Sequence, residues 1–179
     1  IFSNRIKYEN GETNPHILPK SLQVETESYW SPTVVEQLLI QSGIRPKSSL
    51  YLNILFENQK PHNVIGRQIS RALAQSDLIR VNPQAVKKSE LIAQRNKGNY
   101  QLIRNEQCID KPDPTLFLWR FYSKSTENKN GYANPEVDKL LSKLQQQKLS
   151  KSKRQAVIRQ IVELLEQDVA ILPLYEFSK

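Results

Sequence analysis

A chain of 179 residues with 38% hydrophobic and 25% charged side chains holds enough apolar material for one packed domain, and a mean hydropathy of -0.59 leaves it a polar, water-facing surface. No stretch approaches the roughly 18 consecutive apolar residues of a membrane span, and no basic segment leads into a short apolar run as in a signal peptide. Lys and Arg number 26 against 18 Asp and Glu, but the net charge of +8 is spread along the chain, which fits a solvated surface better than a nucleic-acid footprint.

In chain order, residues 1 to 30 show little periodicity and carry Asn14-Pro15 and Leu18-Pro19, so they read as an extended N-terminal arm pinned by Tyr29 and Trp30. A helix follows: Ser31 is its N-cap, Pro32 its first residue, Val34, Val35, Leu38 and Leu39 its apolar stripe, and Gly43 stands just past its end. Leu50, Leu52, Ile54 and Phe56 alternate along 50–56 as in a strand. Val64, Ile65, Ile69, Ala72 and Leu73 then recur at helical spacing over 61–75, and a short strand starts at Leu78. A second helix is expected from Gln84 to Lys97, ended by Gly98, with a strand over 100–104.

Pro112 and Pro114 exclude a regular helix through 108–114 and make that stretch a shaped loop. Two helices follow near 135–147 and 152–167, and Lys148 to Lys151 is short enough to return the second antiparallel to the first. The apolar run from Val169 to Phe177 reads as a last strand near 170–175. The pattern implies an α/β domain over 1–179 in which a mixed sheet of strands 50–56, 78–82, 100–104 and 170–175 is flanked by helices, with an antiparallel helix pair at the C-terminal end.

Little in the sequence supports catalysis. Cys108 has no second cysteine to pair with and no neighbouring histidine, and His16 and His62 are too far apart in sequence to suggest a metal-ligand pattern. Asp110 and Asp113 stand three residues apart with prolines on both sides of Asp113. No activated nucleophile, acid-base pair, metal or cofactor signature is legible, so a binding role is expected. The informative stretch runs from Arg104 to Pro114, where a strand ends in a loop that joins opposite charges to a stiff proline turn. Local chemistry alone favours a structural role, with Asp110 capping the turn or the next helix and Arg104 as its surface ion partner.

Three segments carry a resemblance: Asp110 to Phe117 (DKPDPTLF), Gly131 to Leu141 (GYANPEVDKLL), and Lys153 to Tyr175, which ends in ILPLY. In order and spacing they resemble the extracellular solute-binding family 5, the binding components of peptide ABC transporters. The resemblance covers about residues 25 to 177 and implies the C-terminal lobe of a periplasmic-binding-protein-like fold whose N-terminal lobe is missing here. It implies that a peptide or other small solute lies in an interlobe cleft and is handed to a membrane permease. Asp110 matches the family's amine-gripping aspartate, Arg104 a basic residue able to meet the ligand carboxylate, and Gln107 and Cys108 positions along the ligand backbone. Gln107 and Lys111 depart from the aromatic residues many members carry there. The resemblance implies a periplasmic or lipid-anchored extracellular protein. The alternative is a cytoplasmic solute-sensing domain fused to a transcription regulator. A start at Ile1 and the lack of any Met fit a piece of something longer.

Overall fold

The computed structural model describes residues 12–24, 31–107, 111–146 and 148–176; Tyr29 and Trp30, much of the expected arm, Cys108 and Asp110 lie outside the described residues. The first elements are β1 (Glu12–Thr13), α1 (Pro32–Gln41), β2 (Leu50–Glu57), α2 (His62–Leu73), β3 (Ile79–Val86) and α3 (Lys88–Lys97). Then come β4 (Leu102–Ile103), α4 (Pro114–Leu118), α5 (Pro135–Gln146), α6 (Lys151–Gln167) and β5 (Tyr175–Glu176). The sequence reads as one domain over 1–179; the chain divides into two compact units, residues 1–10 with 30–106 and residues 11–29 with 107–179.

The first unit is built on three parallel strands in the order β3-β2-β4. Parallel neighbours need crossovers, and α2 and α3 supply them; right-handed crossovers that run opposite ways across the sheet, from β2 to β3 and then from β3 back over to β4, place the two helices on opposite faces. Phe56, 1% exposed, is the tightest point. It lies beneath Gly66 of α2, where an added Cβ would come within 2.4 Å of the ring. Helix α1 begins as expected, with Ser31 Oγ accepting from Val34 N at 3.3 Å. Gly43 follows it at φ 85, a left-handed turn that suits a residue without Cβ.

Two boundaries differ from the sequence reading. β3 runs on to Val86, so the helix expected from Gln84 starts only at Lys88. Pro83 pairs with Ile54 inside that strand, which is tolerable because β3 is an edge, where a missing donor breaks no inner ladder. The last strand also does not join a mixed sheet. β5 pairs antiparallel with β1 in a separate two-stranded ladder, and the preceding residues 170–174 have no strand pairing.

The second unit has its own core, formed by Ile17, Leu18, Phe117, Leu118, Phe121 and the inner faces of α5 and α6. The two helices run antiparallel. Arg154 at the start of α6 reaches Leu144 O near the end of α5 at 3.4 Å, while Asp168 just past α6 bonds Tyr132 and Asn134 at the start of α5.

The Gly131 to Asp138 stretch serves this packing residue by residue. Gly131 turns the chain at φ 69, Asn134 Oδ1 accepts from Glu136 N at 2.9 Å, and Val137 is fully buried. Asp138 accepts from Ser123 N at 2.8 Å and from the Ser123 hydroxyl. Elsewhere in the unit, Asn14 Oδ1 accepts from His16 N and Gln23 Nε2, while its amide nitrogen donates to Leu18 O and Glu176 Oε2.

Substituting Gly66→Ala drives a methyl into the Phe56 ring and is expected to lower stability by about 1–3 kcal/mol. A denaturant titration checks this: the midpoint falls while the slope, set by the surface exposed on unfolding, stays as in the parent.

Candidate functional site

The central strand β2 is apolar until its last residue, Glu57, whose side chain is only 6% exposed. A buried carboxylate must find partners or lose its charge. Three other segments of the same unit supply them. His62, the first residue of α2, sets Nε2 3.2 Å from Glu57 Oε2. Arg104, the residue after β4, places Nη1 3.1 Å from the same oxygen. Lys88, the first residue of α3, brings Nζ to 4.0 Å from Oε1 from an exposed position. Arg104 is fixed through its own backbone, since its N–H donates to Leu55 O on β2 at 2.8 Å. Its second terminal nitrogen bonds Glu106.

All these groups gather at the carboxyl ends of β2 and β4. From β2 the chain crosses through α2 to β3 on one side, and from β3 it crosses back through α3 to β4 on the other, so the connections run opposite ways there, and open α/β sheets bind ligands at such a switch point. The electrostatics favour a neutral imidazole. Burial, and then the Arg104 charge, push the His62 pKa down, and Glu57 opposes them only in part. The hydrogen bond from Arg104 holds the Glu106 carboxyl below its ordinary range despite partial burial.

Of the four residues expected at a binding site, two are described. Arg104 stands at the sheet end, engaged by Glu57 and Glu106. Gln107 opens the longer segment of the second unit, and its Oε1 is buried with no hydrogen-bond partner among the described residues. The proline turn is capped by Asp113, which accepts from Thr115 N at 2.8 Å and has Arg154 3.5 Å away. The sequence reading did not pick out Glu57 or His62. A carboxylate at the end of an apolar strand, followed five residues later by a histidine opening a helix, is the signal that could have found them. Among the described residues no group of three or more His, Cys, Asp or Glu is placed to hold a metal ion, and no helix is long and apolar enough to cross a membrane.

No family model matches the sequence. Curated relatives do. A Haemophilus influenzae protein named only as a binding protein is 38% identical over 165 residues, which is 92% of this chain and 32% of that protein. The periplasmic murein peptide-binding protein MppA of Escherichia coli is 26% identical over 141 residues, 79% of this chain and 26% of its own length. The chain therefore spans about a third or less of the curated relatives it matches. Among solved structures, the Escherichia coli murein tripeptide binding protein MppA superposes with a TM-score of 0.80 at 23% identity, over 93% of this chain and 34% of that one. The Haemophilus influenzae OppA complex with RPPGFSPFR gives 0.78 at 22% identity, over 93% and 35%. These likenesses establish the α/β fold seen here.

The acid response of the fold follows from His62. Its folded-state pKa lies below the 6.5 of an unperturbed histidine, so the unfolded chain takes up the proton first. The contribution to stability is whole above that value and is lost as pH falls through the folded-state value. Denaturation of parent and His62→Gln at about pH 7.5 and about pH 5 is expected to show a smaller acid loss in the variant.

Proposed function

This chain belongs to the extracellular solute-binding family that serves peptide transporters, and we propose that it forms one half of the ligand cleft of such a receptor. The observation that carries the proposal is the set of ionisable groups held at the carboxyl ends of β2 and β4, the place where an open α/β sheet presents chemistry to a ligand. Its role is capture. The whole protein closes a second lobe over a peptide-like solute outside the cytoplasmic membrane and delivers it to a permease. Names of the relatives support this reading, since MppA is named as a periplasmic murein peptide-binding protein and OppA as a periplasmic oligopeptide-binding protein. None of those named relatives is described as a regulator, which leaves the sensor reading without support.

In this reading Asp110 receives the ligand ammonium group, and Gln107 and Cys108 run beside the ligand backbone. With no hydrogen-bond partner among the described residues, Oε1 of Gln107 suits it to accept from a ligand N–H. Half a cleft cannot desolvate its ligand, so the chain alone is expected to bind short peptides weakly.

The test uses the full-length protein and calorimetry. Asp110→Asn is expected to weaken an amine-bearing peptide by about tenfold to a hundredfold, as loss of a charge-assisted hydrogen bond of roughly 1.5–3 kcal/mol implies, with the melting temperature unchanged. Unchanged affinity with lost stability would make Asp110 a structural cap and remove it from the site.

A further inference from the structure

We propose that Glu57 is a specificity-determining residue, an internal carboxylate that occupies Arg104 and His62 and so keeps a free carboxylate or other small anion away from this end of the sheet. The inference rests on the reading of the sheet end as a ligand site, and it names the class of group that site accepts.

Recognition of a carboxylate by arginine uses two parallel N–H donors of one guanidinium edge. In this chain both terminal nitrogens of Arg104 are already turned to carboxylates, Nη1 to Glu57 at 3.1 Å and Nη2 to Glu106. The second donor that could grip an anion, His62 Nε2, sits 3.2 Å from the same Glu57 oxygen. Charge decides the rest. Glu57 and Glu106 carry two negative charges against one on Arg104, and Lys88 contributes from 4.0 Å with its side chain 67% exposed, where water screens it. The cluster therefore has no surplus cation to offer. An incoming carboxylate would meet the Glu57 charge within a few ångströms, in a setting where like charges repel more strongly than in water. The group that fits is neutral, such as a backbone amide or a blocked chain end, or cationic.

Glu57 and Glu106 differ in a way that makes the proposal testable. Glu57 is buried at the strand end, while the Glu106 side chain is 54% exposed and outside the sheet. Inorganic phosphate is titrated into the labelled chain at constant ionic strength while the His62 ring resonances are followed by NMR; His16, in the other unit, is the control. The parent is expected to show no saturable shift at His62. Glu57→Gln keeps the shape and removes the charge, and should bind phosphate with an affinity at least about tenfold above the parent's limit. Should that variant not fold, Glu106→Gln frees Nη2 alone and should give a smaller gain at the same resonance. Saturable phosphate binding by the parent at His62 overturns the proposal, as does a folded Glu57→Gln, or failing it a folded Glu106→Gln, that gains nothing.

A second arm separates this result from the reading beneath it. Full-length protein is titrated with tri-alanine and with tri-alanine amide, and the parent should prefer the amide, with the preference shrinking in Glu57→Gln. If full-length parent binds neither peptide, the peptide reading fails for these ligands, and the phosphate titration still decides whether Glu57 blocks the anion. A parent that prefers the free carboxylate overturns the proposal.

Discussion

The first unit is organised around one constraint, the solvation of a carboxylate placed at the buried end of its central strand. Glu57 is 4% exposed as a residue, and an uncompensated charge in that position costs several kcal/mol. Its compensation comes from three elements that are distant in sequence: the first residue of α2, the first residue of α3 and the residue that follows β4. One anion thus draws together the starts of two helices and the end of an edge strand. The stabilisation this brings is modest beside hydrophobic burial, because each ion has given up water to be there. Its main effect is on geometry, holding an imidazole and a guanidinium at one edge of the sheet.

The second unit solves a different problem with different chemistry. Its core is almost wholly aliphatic and aromatic, and its polar groups mend chain ends. Asn14 ties the 12–24 segment to the final strand, Asn134 caps α5, Asp138 holds the turn at Ser123, and Asp168 joins the start of α5 to the end of α6. The bond from the Tyr132 hydroxyl to Asp168, at 2.6 Å, lowers the pKa of the carboxyl; burial first, and then that same bond, raises the pKa of the tyrosine. The stretch most diagnostic of the family in the sequence is in this sense scaffold, and what it fixes is a helix pair.

Local chemistry made most of the elements legible. Ser31, Pro32 and Gly43 mark both ends of α1, alternation marks β2, and Ser150 caps α6 by accepting from Lys153 N. What remained hidden depends on partners far away in the chain. Whether Pro83 interrupts a strand depends on whether that strand is an edge, and whether the C-terminal run joins the main sheet depends on residues 12 and 13 lying where it ends. The site divides the same way. Arg104 stood out beside a proline turn, but its partner Glu57 is 47 residues distant, and no local pattern links them. Helix periodicity also says nothing about burial in the finished fold: Val34, Val35 and Leu38 form a regular apolar stripe and yet stand 38% to 43% exposed.

The interleaving of the two units has a consequence for biosynthesis. Residues 11–29 belong to a body whose remaining members, 107–179, leave the ribosome only after the whole of 30–106 has been made. Asn14 cannot bond Glu176, 162 residues later, until that residue has been made. The sheet unit, with crossovers of ordinary length, can close during synthesis, whereas Ile17 and Leu18 wait uncovered for α5 and α6. Closing so long a loop is entropically costly, and the waiting segment stays uncovered until then.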